Sequence, residues 1–409
     1  MENKKDILFL CQFFYPEYVS SATLPYDTAV ALAEAGFSVG ALCGYPKEYS
    51  LGKNIPKREI YKNIHIRRLR YIQLKRSNFI GRIINYFSFT LSVALNIAHL
   101  RKYKTVIVYS NPPVLPIIAA ISSKLFKTKI IFVCYDVYPE IALSTNSISE
   151  TGFISKMMKL ANKVIFKRVE RVVALSNEMK RFLIKNRPQL SEDKISIIPN
   201  WFEDKKDNNN DIKNSIFKEI KGVDNLVVSY FGNMGICQDI DTMVCAIRQL
   251  KDNSKIKFLF AGHGNKVEKL KETIKEEKLD NVKIYDFLHG QDFEDALNIS
   301  DCFIVSLADG ITGLCVPSKT YSYMMAGKPI IAIMGKDSDI VRDLEQYSCG
   351  YALEVGEYFK LVNAILELYT NRHSRELMGE NCRKVFLEKY IKEKCTQQYV
   401  DMMKNILEE

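Results

Sequence analysis

Two doubly wound α/β domains in tandem are predicted by three features of the sequence. Short apolar runs alternate with amphipathic helical stretches, the pattern of a parallel sheet covered on both faces. The alternation stops at a polar, asparagine-rich stretch near residues 203–214 and then restarts. The length of 409 residues exceeds one ordinary core and fits two of roughly 200 each.

In chain order, Ile7–Phe14, Ser38–Cys43, Thr105–Ser110, Lys129–Asp136, Arg171–Ser176 and Ile195–Pro199 read as strands. Helical periodicity falls on Leu24–Ala35, Val114–Leu125, Ile154–Val169 and Glu178–Lys185. Past the polar stretch, strands follow at Leu226–Gly232, Ile256–Gly262, Val282–Leu288, Cys302–Leu307 and Pro329–Met334. From Tyr358 onward the period is helical. The expected organisation is an N-terminal domain over residues 1–202, a linker over 203–224 and a second domain over 225–390. The 391–409 helix is expected to pack back on the first domain as a brace, and a cleft is expected between the carboxyl ends of the two sheets.

Composition narrows the class. An apolar fraction of 47% and a charged fraction of 26% are those of a soluble globular protein. The first residues run straight into a buried-strand pattern, with no signal peptide to be read there. Ten cysteines without a Cys-x-x-Cys pair, several inside apolar runs, indicate reduced core thiols in a cytosolic protein. The net charge of +10 is unevenly placed: residues 1–200 carry +16 and the remainder −6. Between Leu51 and Lys104 there are 13 basic residues and one acid, Glu59. That asymmetry calls for an anionic surface against the first half.

Three turns carry chemistry. Phe231-Gly-Asn-Met-Gly235 and Ala261-Gly-His-Gly264 each follow a strand, where glycine lets the backbone approach a ligand closely. The third is Val316-Pro-Ser-Lys-Thr-Tyr-Ser-Tyr-Met-Met-Ala-Gly-Lys-Pro-Ile-Ile-Ala332, read as a loop, a short helix from near Ser318, a stop at Gly327 and a buried strand. A helix start with a lysine in its first turn favours an anion. The plain alternative is an ordinary αβ unit with a Ser N-cap and a Gly C-cap. Neither G-x-G-x-x-G nor G-x-x-x-x-G-K-[ST] occurs, which argues against a dinucleotide dehydrogenase or a P-loop NTPase.

The order FGNMG, FAGHG, a polar loop around Asp309–Gly313 and PSKTYSYMMAGKPIIA resembles the donor-binding domain of GT-B-fold retaining glycosyltransferases of family 4. The first half is similar too, in CQFFYPE from Cys11, YDVYPE from Tyr135 and IIPNW from Ile197, and most of all to the capsule and O-antigen branch. The resemblance implies two Rossmann-like domains. It also implies a UDP-sugar donor, with an N-acetylated amino sugar as the expected group, and a polyprenyl-diphosphate-linked sugar acceptor. Transfer would retain anomeric configuration without a bound metal. It places Ser21, Gly232, Asn233, Gly235, His263, Leu288, Thr312, Gly313, Ser318, Lys319 and Ser322 around the donor. Lys319 would clamp the diphosphate, and Asp136 and Glu140 would hold reacting hydroxyls. Asp136 also reads as a loop carboxylate, and Glu140 as a helix cap. The family's Glu-x7-Glu pair is absent, because Leu314 and Ser322 occupy those positions; Ser322 is left to donate to a ribose hydroxyl. Two other readings share the architecture: a non-hydrolysing UDP-N-acetylglucosamine 2-epimerase, and a degenerate membrane-bound scaffold.

The basic stretch, over residues 62–104, mixes Arg67, Arg68, Arg70, Lys75, Arg76 and Arg82 with Tyr71, Phe79, Tyr86 and Phe87. From Ile66 it suits a helix lying in the interface of an anionic membrane. Phe79–Ala98 is long enough to span, but Arg82, Asn85 and Asn96 argue against it. No nucleic-acid-binding motif accompanies the charge. The expected location is the inner face of the cell membrane, peripherally bound.

Overall fold

The computed structural model describes residues 4–46, 55–74, 79–205 and 212–408. The chain divides into two compact units. Unit 1 comprises Met1–Asn200, Gly313–Val316 and Lys392–Glu409; unit 2 comprises Trp201–Thr312 and Pro317–Ile391.

Unit 1 contains β1 Lys5–Leu10, β2 Val39–Gly44, β3 Arg58–Tyr61, β4 Ile64–Leu69, β5 Tyr103–Tyr109, β6 Lys129–Cys134, β7 Arg171–Ala174 and β8 Ile195–Ile197. They form one sheet in the order β3-β4-β2-β1-β5-β6-β7-β8. All pairings are parallel except β3 with β4. The central strands are buried throughout their apolar runs, Ile7–Leu10 and 105–109 among them, as helices on both faces require, while Lys104 at the start of β5 is exposed. The C-terminal helix Lys392–Glu408 packs on the helix Ser20–Glu34, and Lys129 Nζ donates to Ile406 O at 2.6 Å.

Strands β3 and β4 correct the expectation of an interfacial helix from Ile66. Lys62 and Asn63 both adopt left-handed φ, 45° and 61°, and make a two-residue hairpin turn with Tyr61 opposite Ile64. Ile64 and Ile66 then point inward. Arg68 is fully buried, donating to Pro56 O and Tyr15 O at 2.8 Å each and pairing with Glu59. Arg67 binds Asn96 Oδ1 at 2.5 Å, so of the arginines 67, 68 and 70 only Arg70 is exposed. Lys75 and Arg76 lie outside the described residues. The helix after them, Phe79–Ala94, ends before Ala98 and is followed by a 3₁₀ turn, Ile97–Lys102.

Unit 2 contains β9 Leu226–Phe231, β10 Ile256–Ala261, β11 Val282–Tyr285, β12 Cys302–Ser306, β13 Ile330–Ile333 and β14 Gly350–Leu353. Its sheet is wholly parallel, in the order β11-β10-β9-β12-β13-β14. The strand order reverses between β9 and β12, so a crevice opens beyond their carboxyl ends. The expected linker over 203–224 is partly ordered structure. Asn214 Oδ1 caps a helix, Ser215–Lys221, by accepting from Ile216 N at 3.0 Å, and Phe217 and Ile220 are buried beneath it. Residues 206–211 of that expected linker lie outside the described residues.

Candidate functional site

In unit 2, the two glycine turns stack at the carboxyl ends of β9 and β10. Gly232 N donates to Ala261 O, and Met234 N to His263 O, each at 2.8 Å. A Cβ at Gly262 would lie 1.9 Å from Gly232 O, and one at Gly264 2.3 Å from Met234 O. Both glycines also have φ of +147°. Only glycine permits this approach. Gly235 N is held by Gln238 Oε1 at 2.9 Å. His263 is exposed and contributes its carbonyl to the turn, with its ring 5.9 Å from that of Phe287. Leu288 is half-buried on the loop after β11.

The helix Lys319–Ala326 starts at the same end of the sheet. Gly327 ends it in the left-handed region, φ 68°, ahead of β13. Ser318 stands at the N-cap but makes no side-chain capping bond, which the plain alternative of a Ser-capped αβ unit would have used it for. The first turn is instead tightened by Thr320 N and Thr320 Oγ1 on Pro317 O, at 3.1 and 2.8 Å. The helix is tied to β9 by Tyr323. Its hydroxyl accepts from Phe231 N at 2.7 Å and donates to Phe231 O at 3.1 Å, and its ring stacks on Phe303 at 4.1 Å. These bonds satisfy both main-chain groups of the residue just before Gly232 and set the lysine beside the turn.

Lys319 Nζ sits 3.6 Å above the centre of the Tyr230 ring and donates to Asn233 O at 3.3 Å. Its Cε is 3.4 Å from where a Gly232 Cβ would be. Among the described residues no carboxylate pairs with it. Burial without a counter-charge holds its pKa well below that of an ordinary lysine. A cation packed against an aromatic face at a sheet switch point, with no acid beside it, is arranged to receive an anion. Tyr230 OH bonds Asn233 O at 3.0 Å, so the ring beneath the ammonium is itself fixed.

Ser322 is buried, and its hydroxyl donates to Lys319 O at 2.8 Å. In this arrangement the hydroxyl back-bonds to its own helix, so the expected donation to a ribose hydroxyl would have to replace that bond, while its lone pairs stand open to accept. Thr312 Oγ1 accepts from Gly335 N at 3.2 Å. Gly313, with φ +84°, groups with unit 1 rather than with Lys319. Leu314 is buried, an apolar side chain where the resemblance implies a carboxylate.

In unit 1, Asp136 follows β6. Ser110 Oγ, at the end of β5, accepts from Tyr135 N and Asp136 N at 3.0 Å each. Asp136 also bridges to Cys315, and Val137 N donates to Leu314 O at 2.8 Å. With its backbone fixed on both sides, the carboxyl has no partner among the described residues, and burial raises it to about 6. Such a group changes charge near neutral pH and can exchange hydrogen bonds with a hydroxyl.

Glu140 is different. Arg187 grips it with both nitrogens, Nη1 to Oε1 at 2.8 Å and Nη2 to Oε2 at 2.7 Å, and also reaches Tyr138 O at 3.1 Å. The grip gives Glu140 a structural role beside the expected one on a reacting hydroxyl, since it takes one acceptor site on each carboxylate oxygen. Ser21 lies in the first turn of the helix Ser20–Glu34 rather than on a loop. Sequence reasoning missed Tyr230 and Tyr323; the tyrosines one residue before the FGNMG turn and in the middle of PSKTYSYMM were the available signal.

Two doubly wound sheets, the second wholly parallel and ending in glycine turns beside a lysine-led helix, are the two-domain α/β architecture seen in GT-B-type glycosyltransferase structures. Residues 22–206 match the Glycosyltransferase Family 4 model and 211–385 that of Glycosyl transferases group 1, so the chain carries both domains. It is 26% identical over 286 residues to the probable glycosyltransferase WbjE of Pseudomonas aeruginosa, a match covering 69% of this chain and 70% of that protein. It is 25% identical over 251 residues to the uncharacterized glycosyltransferase MJ1069 of Methanocaldococcus jannaschii, covering 61% and 62%. Anabaena Alr3699/HepE, solved with UDP and glucose, superposes with TM-score 0.72 at 16% identity, over 98% of this chain and 100% of that one. WaaG, a glycosyltransferase involved in lipopolysaccharide biosynthesis, gives TM-score 0.69 at 12% identity, over 97% and 99%. At such identities the structural likeness speaks for the fold.

Proposed function

We propose that this enzyme transfers a hexose, with an N-acetylated amino sugar as the first candidate, from a UDP-sugar to a polyprenyl-diphosphate-linked sugar, retaining anomeric configuration. The setting would be surface-polysaccharide synthesis at an anionic membrane face. The observation that carries the reading is Lys319, a packed cation with no carboxylate beside it among the described residues, next to the Gly232 turn at the reversal of a parallel sheet. A leaving diphosphate supplies the missing charge, and Lys319 stabilises that charge as it develops. Solved proteins of similar fold hold UDP and UDP-glucose, which supports the nucleotide.

In unit 1, Asp136 holds a hydroxyl of the reacting sugars. Retention in this scheme needs no protein nucleophile: the departing diphosphate assists the incoming hydroxyl on the same face, while the protein orients the reactants and excludes water. No metal or further cofactor enters, so turnover should survive EDTA. The excess of basic residues in the first half matches an acidic surface that presents the acceptor.

A thermal-shift panel with UDP, GDP, ADP, CMP and dTDP tests the donor. A rise with UDP alone, lost in Lys319→Ala, is expected. Product anomers resolved by NMR then test retention. A panel with no response to any nucleotide would overturn the reading and leave the scaffold alternative, which the buried Leu314 favours.

A further inference from the structure

The helices Phe79–Ala94, Pro116–Phe126 and Phe153–Phe166 pack side by side in unit 1, with Pro116–Phe126 in the middle. Each buries one face and leaves large apolar residues on the other. Ile80 and Leu91 are 64% and 61% exposed on the first, Ile121 and Leu125 stand exposed on the second, and Phe153 and Leu160 are 79% and 63% exposed on the third. Spacings of four, seven and eleven residues keep each set on one helix face. The inward faces are specified equally firmly: Phe89 and Val93 are fully buried, and Asn85 pins the preceding segment by bonding Leu74 N at 2.8 Å and Leu74 O at 2.9 Å.

Charge selects the occupant. None of the three helices contains an Asp or Glu, whereas Phe153–Phe166 alone carries Lys156, Lys159 and Lys163, all exposed. Lys159 meets Glu150, outside the helix, at 3.4 Å. Lysines beside exposed leucine and phenylalanine place an ammonium at headgroup depth while their stems and the apolar side chains enter the acyl boundary. With no acid on the helices themselves, the negative complement of these lysines has to come from the occupant, as a layer of anionic headgroups supplies it. No helix among the described residues is long and apolar enough to cross a membrane.

We propose that this three-helix layer is the surface by which the protein lies on an anionic bilayer. The inference deepens the membrane part of the proposed function and rests on it. It keeps the helix Phe79–Ala94 of the expected contact over residues 62–104 and replaces the arginines of β4 with two helices farther along the chain.

Co-sedimentation with vesicles of phosphatidylglycerol and phosphatidylcholine, against phosphatidylcholine alone, is the test. The wild type should bind the anionic vesicles, and less so at high salt. Phe153→Glu/Leu160→Glu should lower binding at least tenfold, and so should Leu91→Glu on a different helix. Replacing Lys156, Lys159 and Lys163 with Gln should remove the preference for anionic lipid. The UDP thermal shift reports folding of each variant. Vesicle binding unchanged in both glutamate variants would overturn the assignment. So would a lipid-free dimer, seen by sedimentation, that the glutamates dissociate; the layer would then be covered by a second copy of the chain. Vesicle binding without any UDP response would refute the sugar-transfer reading and leave the membrane surface standing.

Discussion

Replacing Lys319 with methionine keeps the length and apolar stem of the side chain and removes its charge. In the free protein that charge is poorly placed, since among the described residues it has a main-chain acceptor at 3.3 Å, a tyrosine face at 3.6 Å and no carboxylate. The folded-state pKa is depressed below the unfolded one. The wild type therefore loses stability as pH falls from the ordinary lysine range toward that lowered value, and the penalty persists at neutral pH. Lys319→Met removes it, so the free variant should be as stable as the wild type or more stable.

Nucleotide binding should move the other way. A charge-assisted bond to a diphosphate contributes about 1.5–3 kcal/mol, equivalent to about 10- to 150-fold in Kd. Isothermal titration with UDP measures this directly. Opposite signs for stability and affinity would mark Lys319 as a residue held for a ligand. UDP affinity within twofold of wild type would refute the reasoning, whatever the stability change.

Other consequences are as direct. Burial raises the Asp136 carboxyl to about 6, so its contribution to stability is full below pH about 4 and is lost as pH rises through 6. Asp136→Asn should thus gain about 2 kcal/mol over wild type at pH 8 and little at pH 3.5 by urea unfolding, while turnover falls at least tenfold with UDP affinity unchanged. Glu140→Gln leaves Arg187 partly unpaired and should cost about 3 kcal/mol, and Glu140→Gln/Arg187→Met should recover part of that together with activity; loss of turnover in a double variant of restored stability would return Glu140 to the chemistry. Tyr323→Phe strips two bonds from the Phe231 backbone and should cost about 1–3 kcal/mol, with weaker UDP binding as the helix loosens.

Much of the architecture is legible in the sequence because it depends on local pattern. Uniformly apolar runs such as Ile7–Leu10 and Cys302–Ser306 specify buried parallel strands, and the glycines around Asn233 and His263 announce turns that a side chain would block. Where composition spoke louder than periodicity, the reading failed. Arginines 67, 68 and 70 looked like a membrane face, yet the alternation of Ile64 and Ile66 with His65 and Arg67 specifies a strand. The Lys62–Asn63 turn folds that strand into a hairpin over a buried ion pair. Glu140 and Ser322 were chosen by position, which carries no information about where their oxygens are already bonded.

Those assignments belong to tertiary structure, for a physical reason. A carboxylate or hydroxyl is available only if nothing closer satisfies it, and the competitor lies far away in sequence. Arg187 is 47 residues from Glu140, and Tyr323 is 92 from the Phe231 backbone it ties. Likewise Lys319 stands out because, among the described residues, the fold brings no counter-charge beside it. The sequence by itself determined two wound sheets, their turns and the lysine at the head of the helix. Only the packing decided which of the polar groups were left over for a substrate.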